Sequence, residues 1–180
     1  MRLSIRRLLF ITAIVAAIAY CFTLNPFPSE IQSIHRYSHS KNHFPARLVS
    51  HFPAKQPSSS ANPVFSFYPG ALQGGAWIQL RIEISKADAE RLSARLNADT
   101  KHVYTGGSFF THYNRDQDKN WPTALYHTQR SDHSAYEFPD HFTLYVHHAE
   151  DAGGGWNHGE TTGTAVSMKT NEVIYWAESW

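Results

Sequence analysis

The sequence predicts an α+β fold: a small antiparallel sheet with one amphipathic helix packed on one face, preceded by a single transmembrane helix. Three observations carry this reading. A basic start is followed by an uncharged apolar run; a strand-patterned stretch is followed by a helix-patterned one; and the C-terminal part of the chain reads as three more strands.

The apolar run extends from Leu8 to Leu24, with Arg2, Arg6 and Arg7 before it and no charge between Arg7 and Glu30. At 17 residues it meets the short limit for crossing a hydrocarbon core of roughly 30 Å. Lys/Arg bias keeps the basic flank in the cytoplasm, so the remainder is expected on the far side. The expectation is a single-pass protein of the inner (cytoplasmic) membrane, touching the lipid bilayer through residues 8–24, with its C-terminal domain periplasmic or extracellular. The alternative is a cleaved signal peptide, for which Ala17-Ile18-Ala19 supplies a small-x-small site. Cys21, the only cysteine, lies within the run, so the exported part has no disulfide and no thiolate chemistry.

Three segments follow: 1–24 as membrane anchor or signal peptide, 25–63 as a disordered Pro/Ser/His-rich linker, and 64–180 as an exported globular α+β domain. Residues 25–63 hold six prolines and eight serines, a composition too poor in apolar surface to offset ordering entropy. Within them His43-Phe-Pro-Ala-Arg47 recurs as His51-Phe-Pro-Ala-Lys55. His35, His39 and His43, four apart, would share one helical face.

Charge divides along the same lines. Residues 1–63 carry seven Lys and Arg against Glu30, a balance of +6; residues 64–180 carry nine against fourteen acids, a balance of −5. An acidic globular part lacks the basic stripe a nucleic-acid surface needs, so no nucleic-acid partner is expected.

The first clear strand is Trp77–Ile84, where Ile78, Leu80, Ile82 and Ile84 alternate with Gln79, Arg81 and Glu83, the period-two pattern of a half-buried strand. Ser85 then stands three residues before Asp88, a capping-box-like start. The Ala/Leu/Glu/Lys/Arg-rich stretch to about Ala98 reads as the amphipathic helix, with Leu92 and Leu96 on its buried stripe. Val103–Tyr104 and Ser108–Tyr113 read as short strands, and 114–134 as mostly loop. His141–His148 alternates again. After a glycine-rich turn at 150–155, Thr161–Met168 and Glu172–Trp180 complete an antiparallel meander, with Asn171 in the tight turn tolerating positive φ.

Standard catalytic signatures are absent: no G-x-S-x-G, H-E-x-x-H or Walker loop. Asp116-Gln-Asp118-Lys-Asn120 opens like a calcium loop, but Trp121 and His127 stand where glycine and glutamate belong. The densest chemistry surrounds the last glycine-rich turn. His158, Glu160 and His147 are the candidate catalytic residues: imidazole and carboxylate serve as general acid and base, and the same three would make a zinc site with an open position. No cofactor is predicted beyond that zinc alternative. Trp156, Asn157, Trp176 and Tyr145 are the candidate binding residues, since aromatic faces beside polar groups stack on sugar rings. The expected function is a non-enzymatic binding or interaction module of the bacterial cell envelope, its partner an envelope protein or glycan. A small envelope hydrolase using His158 and Glu160, or a metal-binding module, are the alternatives.

Overall fold

The computed structural model describes residues 12–16, 29–70, 75–107, 125–128, 137–151 and 159–179. Six antiparallel strands form one sheet in the order β1-β2-β6-β5-β4-β3: β1 Val64–Tyr68, β2 Ala76–Glu83, β3 His102–Thr105, β4 Phe142–Asp151, β5 Gly159–Ser167 and β6 Glu172–Ser179. Helices are α1 Tyr37–His43, α2 Ala46–Val49 and α3 Lys86–Asp99. The α+β architecture expected from the pattern is present. Among the described residues no helix is long and apolar enough to cross a membrane; residues 12–16 are helical, and Ile14 and Val15 within them are exposed.

α3 begins where its sequence provides a cap. Ser85 Oγ accepts from the Asp88 N–H at 3.1 Å, and its hydroxyl donates to the Asp88 carboxylate at 2.6 Å. The bond from Ser85 satisfies one of the N–H groups that the first turn leaves without an intrahelical partner. Ala89 and Leu96 are buried against the sheet with Leu92 beside them. The β5–β6 turn closes through Asn171 at φ 55°, and Ser167 Oγ accepts from the Thr170 N–H at 3.1 Å.

The expectation of a disordered linker over 25–63 is corrected for its described part, residues 29–63. Residues 29–63 form a strap packed on the helix side of the sheet. Ile31 exchanges backbone hydrogen bonds with Phe67 at 2.7 and 2.9 Å, and Tyr37, Phe44, Leu48, Val49 and Phe52 are buried in the main core. Composition averaged over the segment conceals this because its few large apolar residues fall on one side. The repeat explains the spacing: each His-Phe-Pro-Ala copy sends its phenylalanine inward, Phe44 at 6 % and Phe52 at 4 % exposure. Lys41 closes the strap on itself, donating to the Phe52 and Pro53 carbonyls at 3.2 and 2.9 Å.

The half-buried reading of β2 is corrected as well. Its apolar side meets the strap and α3, but Gln79 and Arg81 on the other side are also buried. A second core covers that side, built from Phe138, Phe142, Leu144, Ile174 and Trp176 with Tyr126. Gly163 makes it possible. A Cβ there would lie 2.3 Å from the Trp176 ring and 2.4 Å from the Tyr145 carbonyl oxygen, so only glycine lets the indole lie across β5.

Candidate functional site: a histidine corner beside a cleft

The register of β4 against β5 slips once. Val146 pairs with Gly163 and His148 with Thr162, leaving His147 as the extra residue of a β-bulge. A bulge interrupts the alternation of side chains along a strand, and here it puts two consecutive histidines on the strap side. His147 Nε2 lies 2.9 Å from Thr164 Oγ1. His148 Nε2 donates to Glu160 Oε1 at 2.9 Å.

The strap completes the corner. His51, from the second repeat copy, places its ring 4.9 Å from that of His147 and donates through Nε2 to the Gly163 carbonyl at 2.9 Å. Thr162 Oγ1 donates to the Leu48 carbonyl at 2.8 Å. Arg47 forms an ion pair with Glu160. Burial, with the nearby His147 second, pushes the His51 imidazole down to about 3; burial alone lowers His147. For Glu160 burial opposes ionisation, but the hydrogen bonds from Arg47 and His148 outweigh it and hold the carboxyl below its usual range. The corner therefore holds two neutral imidazoles and one ionised carboxylate near neutral pH.

A cleft of about 710 Å³ opens where β3 stops and β4 continues, lined by Asp99, Thr100, Lys101, His102, Tyr104 and residues 146–149. The end of α3 makes one wall and the bulge the other. Among the described residues, three imidazoles and one ammonium line it together with the carboxylate of Asp99.

The residues expected from sequence divide three ways. His147 and Glu160 belong to the corner, but the histidine bonded to Glu160 is His148. His158, Trp156 and Asn157 lie outside the described residues. Trp176 and Tyr145 are buried at 0 % and 1 % exposure in the two cores. Tyr145 spends its hydroxyl on Ser93 Oγ at 2.7 Å. Neither offers a face to a sugar ring. Among the described residues no group of three or more His, Cys, Asp or Glu side chains is placed to hold a metal ion. His39 and His43 stand together on α1 with ring centroids 4.2 Å apart, and both are exposed.

Sequence reasoning missed His51 and Arg47, because they lie in the stretch read as linker; the repeat was the signal. It also missed a polar layer on the opposite face. Gln79 donates to the Leu125 carbonyl at 2.7 Å and accepts from the N–H and hydroxyl of Thr128 at 2.8 and 2.9 Å. Glu178 accepts from the Leu125 N–H at 2.8 Å, and Arg81 donates to the Tyr126 hydroxyl at 3.0 Å. Side chains of β2 and β6 thus hold residues 125–128 where strand pairing would otherwise do so.

Comparison with protein-family models, with curated proteins and with solved structures returned no match in any of the three, so function is argued from this geometry.

Proposed function

We propose that the chain is a membrane-tethered, exported binding module, without enzymatic activity, whose ligand enters the cleft beside the histidine corner. The supporting observation is how thoroughly the reactive groups of the corner are already engaged. Thr162 and Thr164, the hydroxyls next to its imidazoles, are buried and bonded to Leu48 and His147. Glu160 is held by Arg47 and His148. A nucleophilic site needs a hydroxyl that is within reach of a base and open to substrate, and neither threonine is open.

What the cleft presents instead is the Lys101 ammonium and the His102 imidazole, beside the rings of His147 and His148, whose Nε2 atoms face Thr164 and Glu160. Such a lining suits a ligand carrying an acidic group, on an envelope protein or a carboxylate-bearing glycan, since charge-assisted hydrogen bonds are about twice as strong as neutral ones. Placement on the inner membrane with the domain outside the cytoplasm rests on the arginine-flanked run 8–24.

The test is amide chemical-shift mapping of the full chain with peptidoglycan fragments and with acidic envelope peptides. Saturable shifts at Lys101, His102 and His148 support the reading. Shifts confined to other surfaces, or none, would sink it.

A second reading, a small envelope hydrolase, draws on the 2.9 Å contact between His148 and Glu160, which resembles the acid–base half of such a site. It requires turnover of a glycan or ester that Glu160→Gln abolishes. A zinc site built on His147, His158 and Glu160 requires a stoichiometric metal content that the same substitution lowers.

A further inference from the structure

The folded strap changes how far the domain can stand from a bilayer. The apolar run ends at Leu24, and the chain is fixed to the sheet at Ile31. Seven residues span at most about 25 Å when fully extended, so a membrane holding residues 8–24 lies close to this edge of the domain. α1 begins six residues beyond Ile31.

That helix has two sides. Tyr37 and Ser40 are buried, and Phe44 follows them inward. His35, Arg36, His39 and His43 are exposed, and their three- and four-residue spacing puts them on one stripe. Between residues 29 and 63 the strap carries four Lys and Arg and one acid, Glu30, whose carboxylate is taken up by Ser66 and Gln32 at 2.8 and 3.3 Å. The rest of the domain is acidic, at −5 over residues 64–180. A body charged in this way turns its basic side toward an anionic surface and its acidic bulk away.

We infer that the outer face of α1 and of the 3-10 turn Ile34–Arg36 leading into it, bearing His35, Arg36, His39 and His43, docks on the anionic phospholipid headgroups of the membrane that holds residues 8–24. The inference rests on the anchor reading and adds the surface and its chemistry. Arg36 supplies a planar fork matched to phosphate, and the exposed imidazoles of His35 and His39 offer N–H groups to headgroup oxygens, while His43 Nδ1 donates to the His39 carbonyl at 2.7 Å. Two other cations of the strap are directed elsewhere: Lys41 to the Phe52 and Pro53 carbonyls, and Arg47 to Glu160. Docking holds the histidine corner, built on the same strap, near the membrane surface.

The experiment uses the full chain in nanodiscs of phosphatidylcholine, with or without phosphatidylglycerol, each carrying a gadolinium-chelate lipid at the surface. Amides of α1 should relax fast in the anionic discs. The enhancement should fall at least about fivefold in zwitterionic discs or in an Arg36→Gln/His39→Gln/His43→Gln variant, as expected when the basic contacts to the surface are lost. The β5–β6 turn, at the other end of the sheet from Ile31, is the reference. Enhancement of α1 no greater than that of Met168–Thr170 in anionic discs overturns the docking. Alkaline carbonate extraction separates membrane anchoring from headgroup docking. If carbonate releases the chain, the anchor reading fails, and sedimentation of the released chain with phosphatidylglycerol vesicles then decides: pelleting sustains the docking face, and a chain left in the supernatant overturns it.

Discussion

Replacing Phe52 by alanine distinguishes a packed strap from a tether. The Phe52 ring is 4 % exposed, lies 4.8 Å from the His51 ring and 5.8 Å from that of Tyr175, and belongs to the main core. Deleting a buried phenylalanine side chain costs about 3–5 kcal/mol, from lost transfer energy and the cavity left behind. A domain has only about 5–15 kcal/mol in total, so a single substitution would remove a large fraction of the stability. Phe44→Ala should cost a similar amount. The two together should fall short of the sum, because both rings belong to one cluster. Urea unfolding of the full chain, followed by tryptophan fluorescence, reads this directly: all five tryptophans lie beyond residue 63, so the signal reports on the sheet and not on the strap. A lower midpoint with unchanged slope is expected. If both single variants stay within about 0.5 kcal/mol of the parent, as surface substitutions do, the strap is not part of the cooperative unit and the reasoning fails.

Other consequences follow from single contacts. The His51 imidazole is depressed to about 3 in the fold against about 6.5 unfolded. The unfolded chain therefore binds the extra proton first: stability is at its full value above about pH 6.5 and falls as pH drops toward 3, the loss reaching about 2 kcal/mol at pH 5. His147 shifts in the same direction, and His51→Gln should flatten the pH profile of urea stability; equal profiles for parent and variant would refute the assignment. Gln79→Leu strips partners from the Leu125 carbonyl and from Thr128, at about 1–3 kcal/mol for a buried group left unsatisfied, and should lower the melting temperature; an unchanged value would show that residues 125–128 are held otherwise. Gly163→Ala puts a methyl 2.3 Å from the Trp176 ring and should destabilise by about 1–3 kcal/mol as overpacking does. In a Trp176→Leu background that penalty should shrink only in part, because the methyl would still lie 2.4 Å from the Tyr145 carbonyl oxygen; an undiminished penalty would show that the indole contributes nothing to the clash.

The elements most legible in the sequence were those with a clean period or a cap. β2 and β4 alternate, β5 and β6 are rich in strand-favouring residues, and α3 starts after Ser85, whose hydroxyl and Asp88 bond to each other. The β5–β6 turn was legible through Asn171. The strap was not, because its signal is positional. Five large residues among serines and prolines look too few until the two repeat copies are seen to put Phe44 and Phe52 at equivalent places. The burial of Gln79 and Arg81 is not legible, since alternation tells which side a residue takes and not whether that side is covered. The histidine corner depended on a bulge. Strict alternation places His147 and His148 on opposite faces, and only the slip between Val146 and His148 brings both to the strap side. Trp176 and Tyr145 looked like ligand platforms from their residue type, but strand position put each in a core.

The strap folds onto the sheet and presses His51 against His147. The most direct measurement is the nuclear Overhauser effect between the ring protons of these two residues in the full chain near neutral pH. With ring centroids 4.9 Å apart, a clear cross-peak is expected, accompanied by dispersed shifts for Phe44, Leu48 and Phe52. Absence of that cross-peak, with random-coil shifts over residues 44–52, would contradict it.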